Sequence, residues 1–159
     1  MLRLPGTITI AAVGKLRTAH WRDAQVEYVE RIRRYSRLEI IETRDVAGGT
    51  LTDDVAIARE GDALLAAVAD IPWMIALDSR GKQAESVRFA RYLRQQIEVH
   101  RDIAFVIGGP FGLADEVVEL ADECLSLSLL TLPHELARVV LLEQIYRAMT
   151  ILSGEQYHK

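Results

Sequence analysis

The chain has 159 residues, half of them apolar and 26% charged, with a formal net charge of −4 and one cysteine. That is the size and composition of one soluble globular domain with a proper core. It excludes disorder, and a single thiol excludes both an intrachain disulfide framework and a cysteine-based zinc site. No apolar run approaches the roughly 18 residues needed to cross a bilayer, and a net negative chain is a poor general binder of nucleic acid unless its cations gather locally.

The first fifteen residues, MLRLPGTITIAAVGK, superficially resemble a secretory leader. The alternation Thr7-Ile8-Thr9-Ile10 and the lack of a small-residue cleavage site fit a first β-strand over Thr7–Val13 better, ended by Gly14. Trp21–Tyr35 carries Val26, Val29 and Ile32 at helical spacing, and Leu38–Thr43 predicts a second strand. After Gly48-Gly49-Thr50, Thr52 and Asp53 can cap a helix running through Ala69. Trp73–Asp78 (WMIALD) is a continuously apolar strand of the kind found in a sheet covered on both faces. Asp78-Ser79-Arg80-Gly81 predicts a turn, followed by a helix to His100. Ile103–Ile107 (IAFVI) is another buried strand, closed by Gly108-Gly109-Pro110. A helix through Ala114–Ala121, a short strand over Leu125–Ser128 and a long helix from His134 to Leu152 complete the pattern. Strands interleaved with helices predict a single α/β domain over residues 1–159, with a mostly parallel five-stranded sheet and helices on both faces.

Ligands of such sheets bind where the strands end in their carboxyl-side loops, and three of these loops carry unusual residues. Gly108-Gly109-Pro110-Phe111-Gly112 follows IAFVI, and its glycines either turn the backbone or let it approach a ligand. Its spacing matches neither a dinucleotide fingerprint nor a P-loop. Leu125–His134 (LSLSLLTLPH) is far more apolar than a surface loop should be. It is either buried by the chain or lines an apolar pocket in which leucines enclose a flat ligand such as adenine. Asp78 ends WMIALD, where it either accepts from a ribose or stabilises a turn.

The last helix is apolar almost all round, with Glu143, Arg147 and Thr150 in one narrow stripe and Arg138 nearly opposite. The domain is too small to cover such a helix twice, so a second copy is the simple partner. Arg138 would then pair with a carboxylate across that interface or face a ligand. His134, at the helix start, is disfavoured in its charged form by the helix dipole. Two arginine clusters, Arg31, Arg33, Arg34 and Arg37, and Arg88, Arg91 and Arg94, are either solvated helix faces or patches for RNA.

Taken together, VGK near the start, Glu27-Tyr28, IGGPFGL, LSLSLLTLPH, RVVLLEQIYRA and the terminal Tyr157-His158-Lys159 closely resemble one family over essentially the whole chain. It is the small SPOUT-class methyltransferases known as ribosomal RNA large-subunit methyltransferase H, with a few extra residues here before Thr7. The resemblance implies a C-terminal trefoil knot, a cytoplasmic homodimer, and S-adenosyl-L-methionine bound in the knot. It also implies methylation of N3 of a pseudouridine in 23S rRNA on assembled ribosomal particles, with no metal and no membrane involved. The cofactor positions it implies are Leu77, Gly108, Leu127, Ser128, Leu129, Leu130, Thr131 and Leu132. The acceptor N3–H must lose its proton, and that chemistry suggests Arg138 as a stabiliser of the uridine-like anion, with Tyr157 and His158, delivered by a partner subunit, clamping the base or relaying its proton. Two other readings compete: a methyltransferase of the same fold acting on tRNA, against which the lack of an appended RNA-binding domain weighs, and a ribosome-associated factor that binds nucleotide or RNA without turnover.

Overall fold

A computed structural model describes residues 2–159. Five parallel strands, β1 (Thr7–Val13), β2 (Arg37–Thr43), β3 (Trp73–Lys82), β4 (Ile103–Ile107) and β5 (Glu123–Leu125), lie in the order β2-β1-β4-β3-β5. Between them run α1 (Ala19–Ile32), α2 (Asp53–Ala67), α3 (Ser86–His100) and α4 (Asp115–Leu120); α5 (His134–Leu152) and a single 3-10 turn, Gln156–His158, follow β5.

The period of two along the central strands sorts side chains onto two faces of different character. Ile8, Ile10, Ile75, Ile103 and Phe105 point into one buried cluster with Val29 of α1, Leu93 of α3 and Leu142 of α5. Ala11, Ala76, Ala104 and Val106 belong to the other, with Leu64 of α2 and Val117 of α4. Small residues under α2 and α4 let those helices lie close. This is the two-faced α/β architecture predicted from the alternation. The Thr52 cap is also present, its hydroxyl accepting from the Val55 amide at 3.4 Å.

Three details differ from the sequence reading. Residues 78–81 are not a turn that ends a strand. β3 continues to Lys82, with a register shift between Leu77 and Lys82, both of which align with Leu125. In this bulged stretch only glycine fits at position 81 against the neighbouring strand: a Cβ there would lie 2.6 Å from the carbonyl carbon of Cys124. The last strand is Glu123–Leu125, and the period-two run from Ser126 onward is loop. Most tellingly, α5 needs no second molecule to cover its apolar sides. It packs between α1 and α3 on one face of the sheet, so the helix layer itself provides the second cover that a chain of this size was not expected to supply.

Candidate active site

At the carboxyl edge of the sheet, the ends of β3 and β4, the loop after β5 and the first turn of α5 surround one open cleft. Leu77 and Gly108 contribute from the strand ends; Leu127, Ser128, Leu130, Thr131 and Leu132 contribute from the loop. Leu129 does not line it and is 75% exposed. The structure also brings in residues the sequence reading did not select: Ser79, Gly112, Leu113 and Ala137, together with Asp78 and His134, which it considered but did not select. Position at a strand end or in the first turn of the following helix was the available signal for these.

The loop is shaped by its serines. The Ser126 hydroxyl donates to the Ser128 carbonyl at 3.0 Å, and the Ser128 hydroxyl accepts from the Leu130 amide at 2.9 Å. These short-range bonds hold the backbone in a tight curve and leave the leucines as the ligand-facing material; Leu130 is 78% exposed although it lines the cleft. Gly108 is explained by the chain itself, because a Cβ there would lie 2.4 Å from the carbonyl carbon of Gly112. Its glycine is required by the turn, whatever a ligand also gains.

Two carboxylates, one at the cleft and one behind it, are shifted in opposite directions. Asp78 is clamped by Arg80, which donates from Nε at 2.8 Å and Nη2 at 3.0 Å and also from its amide. These bonds hold the Asp78 carboxyl below its ordinary range. Arg80 in turn reaches Asp115 at 3.0 Å. Behind the glycine turn lies Glu60 of α2, only 5% exposed, with Oε2 lacking any hydrogen-bond partner. Burial, with the Asp45 carboxylate as a smaller contribution, lifts its pKa to about 6.

Arg138 and the C-terminal residues lie outside this cleft. Arg138 is 2% exposed, and its guanidinium donates to Glu42 at 2.6 Å, to the Gly14 carbonyl at 2.8 Å and to Gln25 at 3.3 Å. Its carboxylate partner therefore comes from its own chain, not from across an interface. Tyr157, in the final 3-10 turn, packs back against the later part of α5, its hydroxyl donating to Glu143 at 3.2 Å and its ring under the Arg147 guanidinium at 5.0 Å. Burial, helped by a bond with Tyr28 and by Glu143, pushes its pKa up to about 12. Six residues separate Ala137, in the cleft, from Glu143, which is about 9 Å along a helix. His158 is exposed in the final 3-10 turn.

The family model for predicted SPOUT methyltransferases matches residues 7–158. A protein called ribosomal RNA large subunit methyltransferase H from Anaeromyxobacter sp. strain K is 44% identical over 155 residues, covering 96% of this chain and 99% of its own. The chain belongs to the SPOUT methyltransferases. A protein of the same name from Gemmatimonas aurantiaca is 42% identical over 152 residues, again covering 96% of this chain and 99% of its own. Among solved structures, a probable methylase family protein from Haemophilus influenzae Rd KW20 superposes with a TM-score of 0.57 at 14% identity, covering 96% of this chain and 70% of that one. A putative methylase family protein from Neisseria gonorrhoeae gives 0.51 at 22% identity, covering 89% and 82%. Both share the fold.

As a SPOUT methyltransferase the protein is an enzyme whose methyl donor is S-adenosylmethionine, and the cleft's chemistry fits that donor. Exposed leucines on a braced loop offer apolar walls for a purine, while Asp78, kept ionised at the rim, suits ribose hydroxyls or a cationic group.

Proposed function

We propose that this enzyme methylates N3 of a pseudouridine in large-subunit ribosomal RNA, acting in the cytoplasm on assembled ribosomal particles, with residues 1–159 as one functional domain. The observation that carries this reading is the near full-length identity to relatives named for that RNA, over a chain whose carboxyl-edge cleft has the lining a nucleoside-bearing donor requires. The bound donor supplies a sulfonium methyl that is displaced in line, so orientation provides much of the acceleration. Leu77, Gly108 and the loop from Leu127 to Leu132 hold it.

The acceptor N3 must lose its proton before it can attack. With its pKa raised to about 12, Tyr157 is a hydrogen-bond donor at neutral pH and serves to clamp the base or stabilise its anion, while His158 is the group suited to take the proton. Both come from a second copy. In support, Tyr157 touches its own chain at Glu143, well along α5 from the cleft, and the cleft's lip exposes Leu129 and Leu130, an apolar pair that a partner would cover. Arg138 serves this site from behind, through the loop it holds.

Ribosomal RNA from cells lacking the protein, digested and weighed by mass spectrometry, is expected to miss one methyl on a modified uridine. Recovery of the full set of large-subunit methylations from such cells would end the proposal.

A further inference from the structure

The end of β1 carries a second, differently built feature beside the cleft. Gly14, at a φ of +76°, turns the chain so that Lys15 and Arg17 stand in solvent while Leu16 is buried between them. Arg44, after β2, is exposed on the same edge, and Lys15, Arg17, Arg22 and Arg44 border one shallow depression with Glu42 and Asp45. Of the two acids, Glu42 is engaged by Arg138, and Asp45 meets Arg17 at 3.7 Å. Lys15 and Arg44 enter no ion pair among the described residues. A chain of net charge −4 therefore keeps a local cationic surplus here.

What separates these cations from ordinary solvated ones is the backbone beneath them. The Gly14 amide donates to Thr43 at 2.8 Å, and the Gly14 carbonyl accepts from Arg138 at 2.8 Å. Glu135 accepts from the amides of Arg17 and Thr18 and from the Thr18 hydroxyl. Arg22 donates to the carbonyls of Leu16 and Arg17. Solvated lysines need no such framing, whereas groups that must meet a ligand in a fixed register do. The frame is also shared with the donor cleft. Ala12 of β1 pairs with Ile107 of β4, and the first turns of α5 send His134 and Ala137 to the cleft and Glu135 and Arg138 to the loop.

We propose that Lys15, Arg17 and Arg44 form a phosphate-contacting rim that lays the RNA strand flanking the target nucleotide across the carboxyl edge, with Arg138 and Glu135 as positioning residues for that rim. The surface rests on the RNA-methylating reading above. The arginine clusters visible in the sequence are placed differently: Arg31 is spent on Glu27 and the tyrosine rings of Tyr28 and Tyr146, Arg33 on the Leu38 carbonyl and Arg94 on Glu98, while Arg37 stands at the amino end of β2 and Arg88 and Arg91 on α3.

The test uses ribosomal particles from cells lacking the protein, with S-adenosylmethionine as donor, comparing the wild type with the exposed-site double variant Lys15→Gln/Arg44→Gln. The variant is expected to raise KM for the particle about 10-fold with kcat within twofold, and to flatten the slope of log kcat/KM against log salt by about 1.4 to 1.8 for two lost phosphate contacts. Calorimetric affinity for the donor should match the wild type. Arg138→Lys, which keeps the charge but gives up the planar fork, should raise KM in the same way and add little on top of the double variant; purely structural damage would instead be additive. An unchanged KM and salt slope, or a fall in kcat alone, would overturn the rim. Wild-type inactivity on every particle would instead strike down the functional reading on which it depends.

Discussion

The two ends of α5 do opposite jobs with similar residues. At its start, half-buried Glu135 and buried Arg138 tie down the loop after β1 through four hydrogen bonds to Gly14, Arg17 and Thr18, and Arg138 adds two more to Gln25 of α1 and Glu42 of β2. Toward its end, Glu143 and Arg147 pair with each other at 2.7 Å on a half-open surface. They hold the C-terminal turn by one hydroxyl and one stacked guanidinium, with Tyr146 edge-on to Tyr157 at 4.8 Å. A buried polar network is costly to open, while an exposed cation–π contact is worth about 0.5–1 kcal/mol. One end is therefore fixed and the other detachable. A site assembled from both would be preorganised on its donor side and adjustable on its acceptor side.

The largest effect should come from the detachable end. A protein ending at Gln156 is expected to lose methyl transfer to ribosomal particles by at least about 100-fold, the scale of a misplaced reacting group, while donor affinity and melting temperature stay at wild-type values. A normal rate would show that the C-terminal residues are idle. At the fixed end the pattern should reverse. Arg138→Met should lower the unfolding free energy by about 2–3 kcal/mol, below the usual loss for a broken buried pair because the Glu42 side chain left behind is 29% exposed. Urea unfolding would measure this, and a loss under about 0.5 kcal/mol would mean that the network contributes nothing to stability.

Glu60 tests how far the fixed region extends behind the glycine turn. Its folded pKa, about 6, lies above its ordinary value of 4.5, so burying its charge destabilises the fold above about pH 6, and protonation removes the penalty as pH falls toward 4.5. Glu60→Gln should therefore be more stable than the wild type by up to about 2 kcal/mol at pH 8, with the advantage gone by pH 4.5. An advantage that grew on acidification would reverse the assignment. The smallest effect belongs to Tyr157→Phe: a change in stability within about 0.5 kcal/mol, read by thermal unfolding, against a marked fall in methylation.

Most of the fold was legible because both periodicities are clean. IAFVI and WMIALD could be little else than strands buried on both sides, and the run from His134 to Leu152 is helical from end to end. The bulge at 78–81 was not legible, since Asp-Ser-Arg-Gly is good turn chemistry and the pairing of Lys82 with Leu125 that continues the strand is a contact distant in sequence. The donor cleft was largely visible as an apolar loop where a polar one belongs. Arg138 misled because a lone arginine among apolar residues says that a partner exists without saying which; Glu42 lies 96 residues away in sequence. The rim at Lys15 and Arg44 escaped because its members are scattered one at a time, whereas the arginine runs are conspicuous in the sequence although only Arg31, Arg33 and Arg94 of them are engaged in local contacts among the described residues.

The place of β4 bears on how the protein is made. Until residues 103–107 have left the ribosome, β1 and β3 have no strand between them to pair with both. From Lys82 to Ile107, a stretch of 25 residues, the nascent chain must therefore carry the β1–β2 pair and the lone β3 with open edges, the first bearing Ile8, Ile10 and Val13 and the second Met74, Ile75 and Leu77. Such a chain is exposed to edge-to-edge misassociation and gains from a chaperone until the middle strand arrives.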